Sequence, residues 1–462
     1  MESNKGVLEK WFHLKENHTD AKTEVIAGIT TFMTMAYILA VNPNVLGASG
    51  MDSGAVFTAT ALAAMVGTLM MALFANYPFV LAPGMGLNAY FAYTVVLQMG
   101  YSWEMALAAV FVEGVVFIVL SVTNVREAIF NSIPINLKYA VSVGIGLFIA
   151  FIGFQNAKIV VESATLVSLY SFKGAVAAGT FSSEGITVVL AMIGILITGI
   201  LVVKNVRGNI LWGILITWIL GIICQFAGIY IPNPDLGFYN LLPDFSNGIS
   251  IPSLAPIMFK FSLKGVPVLE FIVIVFAFLF VDLFDTLGTL IGVSAKADML
   301  DSEGRLPRIK GALLADAVGT TCGACLGTST VTTFVESASG VTEGGRTGLT
   351  SLTTGILFLL SLFLSPIFLA IPSFATAPAL IMVGFLMGGT VTEIRFDEEN
   401  ITEAIPAYLA IIAMPLFYSI SEGISMGIIS YVLLNVAAGK AKKITPLMYV
   451  LALLFILKYI FL

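Results

Sequence analysis

The sequence predicts an all-α polytopic membrane protein with about 14 transmembrane segments in two seven-span inverted repeats. Composition, regularly spaced apolar stretches and a similarity between the two halves of the chain support this prediction. Of the 462 residues, 58% are hydrophobic and only 11% are charged, whereas soluble domains carry about 25% charged residues. A soluble chain of this length could not bury so much apolar surface. We therefore expect lipid to surround most of the chain.

Apolar stretches near the length that crosses a bilayer as a helix recur along the chain. They cover residues 25–43, 55–75, 79–97, 104–123, 138–155, 185–203, 209–229, 268–293, 310–326, 333–341, 349–370, 376–391, 402–416, 419–438 and 445–461. The stretches 310–326, 333–341 and 402–416 are short, and such segments often mark discontinuous helices in transporters. Counting 14 spans leaves open whether 445–461 is a fifteenth span or an in-plane helix.

Lysine and arginine concentrate in alternate loops, beginning with the polar tail 1–24. Because positively charged loops remain in the cytoplasm, we predict a cytoplasmic N-terminus in a multi-pass protein of the cell membrane. The tail is expected to form a short amphipathic helix on the membrane face. The net charge of −6 indicates little, because the two signs lie on different loops. No basic surface for nucleic acid is present, so we expect no nucleic-acid partner.

Two segments, one in each half of the chain, are similar to each other. LAAMVGTLMMA at 62–72 and LADAVGTTCGA at 314–324 share six of eleven residues. Each occupies the second span of a seven-span half, and an odd number of spans gives the halves opposite orientations. We therefore predict a first repeat at 25–245, an extracytoplasmic linker at 246–267, and a second repeat with the C-terminal helix at 268–462.

A stretch broken by glycine or proline follows each of these segments. The first is NYPFVLAPGMGLNAYFAY at 76–93, and the second is GTSTVTTFVESASGVTEGG at 327–345. Each begins with residues that favour β-strands and ends with small residues that begin a helix. Unwound backbone at membrane depth must line a cavity or be buried in protein. The N-termini of two half-helices, with free N–H groups, are therefore predicted to form a polar site.

Three acids lie within apolar surroundings: Asp282 and Asp285 in FVDLFDTLGTL at 280–290, and Glu336 in FVES. An ionised acid at the centre of a membrane helix costs about 2.5–3.5 kcal/mol, so such residues are usually functional. Asp282 and Asp285 share one helix face and repel each other. At least one of them is expected to hold a proton when the site is empty. These acids are therefore predicted to bind N–H groups of a substrate and to exchange a proton.

The strings VDLFDTLGTL, APGMGLNAYFAY and GTSTVTTFVESASGV resemble signature segments of the nucleobase–cation symporter-2 family, in its AzgA-like purine permease branch. The resemblance extends over nearly the whole chain. It implies a core domain from spans 1–4 and 8–11, a gate domain from spans 5–7 and 12–14, and proton-coupled import of purine bases. It also implies that Asp282, Asp285, Glu336 and Asn88 bind the substrate between the broken third and tenth spans.

A carboxylate accepts hydrogen bonds from two adjacent N–H groups, such as guanine N1–H and the 2-amino group. Phe79 and Phe334, beside the two breaks, are predicted to sandwich the base, although simple packing is the alternative for both. Guanine and hypoxanthine are favoured over adenine, and Asp282, Asp285 and Glu336 are the proton-coupling candidates. Sodium coupling and a homodimer remain open. We expect no catalytic residue, no metal and no cofactor besides the proton.

Other functions were weighed against this hypothesis. An intramembrane aspartyl protease needs its two aspartates after Tyr and in a GxGD motif, and neither context occurs, so an enzyme is not expected. An anion transporter of the same fold would avoid three acids that repel its substrate. A xanthine/urate or uracil permease is a closer alternative. Glu113, Asp316 and Glu422 are predicted to be structural, and Cys322 and Cys325 to pack within a helix.

Overall fold

The computed structural model describes residues 7–123, 133–164, 166–246, 248, 250–296, 299–300 and 306–461. The first six residues of the predicted tail, and positions 247 and 249 of the predicted linker, lie outside the described residues.

The described chain is mostly α-helical, as predicted. Its helices are α1 Val7–Phe12, α2 Ala21–Met35, α3 Ile38–Gly47, α4 Ser53–Phe74, α5 Met85–Ala89, α6 Trp103–Val122, α7 Ile135–Asn156, α8 Phe172–Ala177, α9 Ile186–Val203, α10 Asn209–Phe226, α11 Val268–Lys296, α12 Ile309–Leu326, α13 Ser337–Thr342, α14 Gly348–Ser361, α15 Ser365–Leu369, α16 Ser373–Gly388, α17 Ile401–Leu416, α18 Ile420–Ala437 and α19 Pro446–Phe461. A π-helix, Tyr90–Gln98, continues α5, and a second, Phe181–Gly185, leads into α9.

Ten helical segments among the described residues are long and apolar enough to cross a membrane. The predicted multi-pass membrane protein is therefore confirmed, while the count of 14 spans stays a prediction. Residues 446–457 of α19 form a shorter apolar helix, so whether this last segment crosses also remains open.

Four short strands form two antiparallel pairs. Strand β1, Leu81–Pro83, pairs with β4, Val331–Thr333, so that the two predicted breaks meet in one sheet. Strands β2, Val160–Ser163, and β3, Leu166–Leu169, form a hairpin between α7 and α8 that the sequence analysis did not predict. The β1–β4 pair joins residues about 250 positions apart and holds the two halves of the chain together.

The first predicted span, 25–43, is two helices rather than one. Helix α2 ends before Ala36, and α3 begins after Tyr37. Pro43 lies inside α3, and because proline has no N–H it cannot donate to the carbonyl of Leu39. The interruption itself lies at Ala36 and Tyr37, whose backbone angles stay close to helical, so Ala21–Gly47 still forms one candidate span.

The N-terminal tail packs against protein. Phe12 and Leu14 are buried and form a small apolar cluster with Ala72 at the end of α4 and Leu349 at the start of α14. The side-chain amide of Asn76 donates to the carbonyl of Phe12 at 3.0 Å. A short helix was predicted here and is present, but these contacts join its end to the helical bundle.

Two groups of helices pack mainly among themselves. Helices α2, α4, α6, α12 and α14 form the first group, which surrounds the β1–β4 pair. The second group comprises α7, α9, α10, α16, α17 and α18. The separation into a moving core domain and gate domain stays a prediction.

Glu24 is fully buried and organises the start of α14, although the sequence analysis assigned it to the polar tail. Its carboxylate accepts from the backbone N–H groups of Arg346 at 2.8 Å, Thr347 at 3.3 Å and Thr350 at 3.2 Å. The Thr350 hydroxyl donates to the same carboxylate at 2.6 Å. A carboxylate at a helix N-terminus satisfies otherwise unpaired N–H groups and interacts well with the helix dipole.

We expect Glu24→Gln to lower the free energy of unfolding by about 2 kcal/mol, because the buried N–H groups lose a charged acceptor. The measurement is thermal unfolding of the purified protein in detergent. Glu16→Gln is the control, since the Glu16 side chain is 79% exposed. Equal melting temperatures for the two variants would contradict the assigned role of Glu24.

Candidate functional site

The β1–β4 pair places two helix N-termini side by side. The N–H of Gly84 donates to the carbonyl of Thr330 at 2.9 Å, and the N–H of Phe334 donates to the carbonyl of Val80 at 3.0 Å. These bonds extend the strand pair at both ends. Helix α5 begins directly after one strand and α13 shortly after the other. The first N–H groups of α5 lack partners within the helix, so the start of α5 can bind hydrogen-bond acceptors. Those of α13 already have partners, since Ser337, Ala338 and Ser339 donate to the carbonyls of Phe334, Val335 and Glu336.

Equivalent residues of the two halves support the strands in the same way. The Thr68 hydroxyl accepts from the N–H of Leu81 at 3.0 Å and donates to its carbonyl at 3.1 Å. The Thr320 hydroxyl does the same for Val331, at 3.2 and 3.0 Å. The sequence comparison paired Thr68 with Thr320. Strand β1 is thus held by α4, and strand β4 by α12, the helix that precedes it in the chain.

Asp285 lies at the edge of this strand pair and is partly exposed. The Thr332 hydroxyl donates to Asp285 Oδ2 at 3.2 Å. A Cβ atom on Gly84 would lie 2.7 Å from the Thr332 hydroxyl oxygen and 3.3 Å from Asp285 Oδ2. Glycine therefore lets the backbone at the start of α5 approach the carboxylate closely.

Glu336 is partly exposed and immediately precedes α13. Its Oε1 accepts a hydrogen bond from the Tyr37 hydroxyl at 2.8 Å. Asp285 and Glu336 are close enough to interact electrostatically. Two carboxyl groups and the N-terminus of α5 thus share one region, offering both acceptors and donors to a small polar ligand.

Asp282 lies behind this region and is fully buried, as is Asp316 on α12. The Thr286 hydroxyl oxygen is 2.8 Å from Asp282 Oδ1 and 2.8 Å from Asp316 Oδ1. One hydroxyl has one proton and can donate to only one of the two carboxyl groups. The second short contact is a hydrogen bond only if that carboxyl group carries a proton. This geometry favours one shared proton on the pair.

Asn88 connects the two broken segments. Its Nδ2 donates to the carbonyl of Pro83 at 3.3 Å, and its Oδ1 accepts a short hydrogen bond from the Ser329 hydroxyl. Asn88 is fully buried. The side chain therefore satisfies polar groups of both breaks in this conformation, and its contact with a substrate stays a prediction.

Phe79 is fully buried, and Phe334 is 7% exposed. The Phe79 ring packs on Tyr77, with the ring centroids 5.2 Å apart. The packing alternative thus accounts for Phe79 in this conformation. Phe334 directly follows β4, and its stacking on a base stays a prediction.

A model of the Permease family (Xan_ur_permease) matches residues 22–453. The putative permease MJ0326 of Methanocaldococcus jannaschii is 48% identical over 456 residues, covering 98% of each chain. The guanine/hypoxanthine permease PbuO of Bacillus subtilis is 45% identical, covering 97% of this chain and 99% of its own. The adenine permease AdeP of Escherichia coli is 41% identical, covering 99% and 97% respectively.

The chain belongs to the nucleobase–cation symporter-2 family of permeases. It is therefore a membrane transporter and not an enzyme, as predicted. The fold is similar to the transmembrane domain of the cyanobacterial bicarbonate transporter BicA, with a TM-score of 0.63, 15% identity, and coverage of 88% of this chain and 97% of that domain. At this identity the likeness concerns the fold alone.

In this permease, three side chains contact the predicted acids but were not predicted to do so: Tyr37, Thr286 and Thr332. Asp316 is connected to Asp282 through the Thr286 hydroxyl. Asp316 had a signal, since it is an acid in apolar surroundings where the first repeat has Ala64, yet it was predicted to be structural. Tyrosine and threonine are common in packed helices, so no local pattern distinguishes Tyr37, Thr286 or Thr332.

The remaining acids in apolar surroundings lie elsewhere. Glu113 accepts from the Thr330 hydroxyl at 2.6 Å, on the segment leading into β4. Glu422 on α18 accepts a short hydrogen bond from the Tyr459 hydroxyl of α19. Among the described residues, no three His, Cys, Asp or Glu side chains form a group that could hold a metal ion.

Proposed function

We propose that this permease imports purine nucleobases together with protons across the cell membrane, with its N-terminus in the cytoplasm. The observation that carries the proposal is the pair of partly exposed carboxyl groups, Asp285 and Glu336, beside two helix N-termini. The relatives named as guanine/hypoxanthine and adenine permeases cover nearly the whole chain, which supports a purine as the substrate class.

Guanine and hypoxanthine are the favoured substrates. Both present N1–H beside O6, and guanine adds a 2-amino group on the same edge. A carboxylate such as Glu336 accepts from these N–H groups, while backbone N–H groups at the start of a half-helix can donate to O6. Adenine remains the second candidate, because a protonated carboxyl group could donate to its N1 and AdeP is 41% identical to this chain.

The proton is the favoured coupling ion. Asp282, Asp285 and Glu336 are the coupling candidates, and the Thr286 bridge between Asp282 and Asp316 supports a proton held beside the substrate. A carboxyl group that takes up a proton on one side of the membrane and releases it on the other couples proton movement to transport of the base. Sodium coupling is the alternative, and its test uses a sodium-free buffer.

The test is uptake of radiolabelled hypoxanthine into cells that lack their own purine permeases. Uptake by the wild-type protein is measured alone and with unlabelled guanine, adenine, xanthine or uracil as a competitor. It is also measured with a protonophore and in sodium-free buffer. We expect guanine to compete best, the protonophore to abolish uptake, and sodium removal to have no effect. Competition by uracil alone, or uptake that requires sodium, would contradict the proposal.

Glu336→Gln is expected to lower this uptake about 100-fold, because two hydrogen bonds to a charged acceptor are lost or weakened. Glu104→Gln is the matched control, since Glu104 lies in the first turn of α6, away from the site. Both variants must be present in the membrane at wild-type amounts. Wild-type uptake by Glu336→Gln would remove Glu336 from the substrate site.

A further inference from the structure

Tyr37 brings the break in the first span into contact with the second broken helix. Its side chain is 1% exposed, and its hydroxyl donates to Glu336 Oε1 at 2.8 Å. The two residues are 299 positions apart in the chain. A buried phenol has only two side-chain torsions, so it is a rigid donor that fixes the atom it contacts.

Glu336 receives no such support from its own helix. It occupies the position before α13, with φ −62° and ψ −16°, and its side chain makes no capping hydrogen bond to that helix. Acids at helix N-termini ordinarily accept from nearby backbone N–H groups. Here the carboxylate is turned towards the first span, and the hydroxyl of Tyr37 holds one of its two oxygens.

The first span and α13 also pack closely beside this contact. The Thr34 and Ser339 hydroxyl oxygens are 2.9 Å apart and hydrogen-bonded. A Cβ on Gly340 would clash with the Thr31 hydroxyl oxygen and would lie 2.9 Å from the carbonyl oxygen of Ala27. The position of Tyr37 relative to Glu336 is therefore fixed by backbone packing as well as by their own hydrogen bond.

The acidic neighbours of this contact lie on other elements. Asp285 of α11 lies close enough to the Tyr37 phenol, to Glu336 and to Asp316 of α12 to interact with them electrostatically. A carboxylate has about four acceptor positions, and the phenol occupies one of them. The backbone N–H of Glu336 interacts with the same carboxylate. A ligand can use the remaining acceptor positions, in a plane that the phenol helps to set.

We propose that Tyr37 is a positioning residue that orients the Glu336 carboxylate towards the N1–H edge of the purine and thereby contributes to substrate selection. This inference rests on the proposed function. When the phenol hydroxyl is absent, Glu336 can rotate away from the base. Guanine then loses affinity, and a base with a methyl group on N1 is excluded less strongly.

The experiment compares Tyr37→Phe with Tyr230→Phe in the uptake assay. Tyr230 is the matched control, because it is 2% exposed and its hydroxyl donates to a backbone carbonyl, that of Tyr239, at 2.7 Å. We expect Tyr37→Phe to raise the KM for hypoxanthine about tenfold, the effect of one hydrogen bond to a charged group, with Vmax within about twofold of wild type. Tyr230→Phe should leave KM unchanged.

The second readout is the ratio of the inhibition constants of 1-methylguanine and guanine. This ratio does not depend on the amount of transporter in the membrane. We expect it to be large in wild type and about tenfold smaller in Tyr37→Phe. In purified protein, Tyr37→Phe should weaken guanine binding in the wild-type background but not in a Glu336→Ala background, because Tyr37 acts through the Glu336 side chain and alanine leaves no acceptor for its hydroxyl.

Two outcomes separate the inference from the function on which it rests. If wild type takes up no purine base, the proposed function fails. If wild type takes up hypoxanthine and Glu336→Gln does not, while Tyr37→Phe keeps the wild-type KM and 1-methylguanine ratio, the function stands and the role of Tyr37 is overturned. An equal loss of binding from Tyr37→Phe in both backgrounds would also overturn it.

Discussion

Replacing Asp316 by asparagine is expected to lower purine uptake about 10- to 100-fold, a loss typical of one or two hydrogen bonds to a charged group. Asp316 and Asp282 are fully buried and both lie 2.8 Å from the Thr286 hydroxyl oxygen. An asparagine can still contact Thr286, but it cannot take up or release the proton that we propose the two carboxyl groups to share. Proton flux should therefore fall together with uptake, while the fold is retained.

Variants at the bridging threonine test this reasoning. Thr286→Val keeps the shape of the side chain and removes the hydroxyl, so we expect a loss comparable to that of Asp316→Asn. Thr286→Ser keeps the hydroxyl and should retain most of the uptake. Asp235→Asn is the control, because Asp235 is exposed in the short 3-10 helix Pro234–Leu236. Wild-type uptake and proton flux in Thr286→Val would show that the bridge is not needed.

Gly384→Val is expected to destabilise the protein by more than about 3 kcal/mol, at or above the upper end of the usual cost of overpacking. Gly384 on α16 faces Gly146 on α7, and a Cβ added at Gly384 would clash with the Gly146 carbonyl oxygen. In the reverse direction, a Cβ on Gly146 would lie 2.7 Å from the Gly384 carbonyl oxygen. Backbone atoms cannot rotate away, so the two helices would have to separate.

Gly388→Val is the matched control for this prediction. Gly388 ends the same helix, and a Cβ there meets nothing within 4 Å. The measurement is the yield of monodisperse protein in detergent and its melting temperature. We expect Gly384→Val to yield little folded protein and Gly388→Val to resemble wild type. Equal stability of the two variants would contradict the close approach of α7 and α16.

Local features of the sequence predicted the membrane class and the two breaks. Hydropathy is a property of each stretch of about 20 residues and needs no knowledge of its neighbours. Proline, glycine and β-branched residues interrupt helices by their own backbone preferences. The strands Leu81–Pro83 and Val331–Thr333 lie within the two predicted breaks. The first span was predicted less well, because Tyr37 at its interruption has no unusual backbone preference.

The sequence also identified Asp282, Asp285 and Glu336, because an acid is costly in apolar surroundings wherever it lies. It could not assign their partners. Lipid-facing and protein-facing positions of these helices are both apolar, so periodicity does not reveal which face meets which neighbour. For this reason neither the bridge from Asp282 through Thr286 to Asp316 nor the proximity of Tyr37 to Glu336 was predicted.

By itself, the sequence determined that this chain is a polytopic membrane protein with two broken segments and with acids in apolar surroundings, because those signals are local. That it is a permease followed from its resemblance to a family along nearly the whole chain. Only the tertiary structure decided that β1 pairs with β4, that Thr286 connects Asp282 with Asp316, and that Tyr37 holds Glu336. These contacts depend on how far each helix is rotated and shifted against its neighbours. Packing of small residues fixes those rotations, and it involves the whole bundle at once.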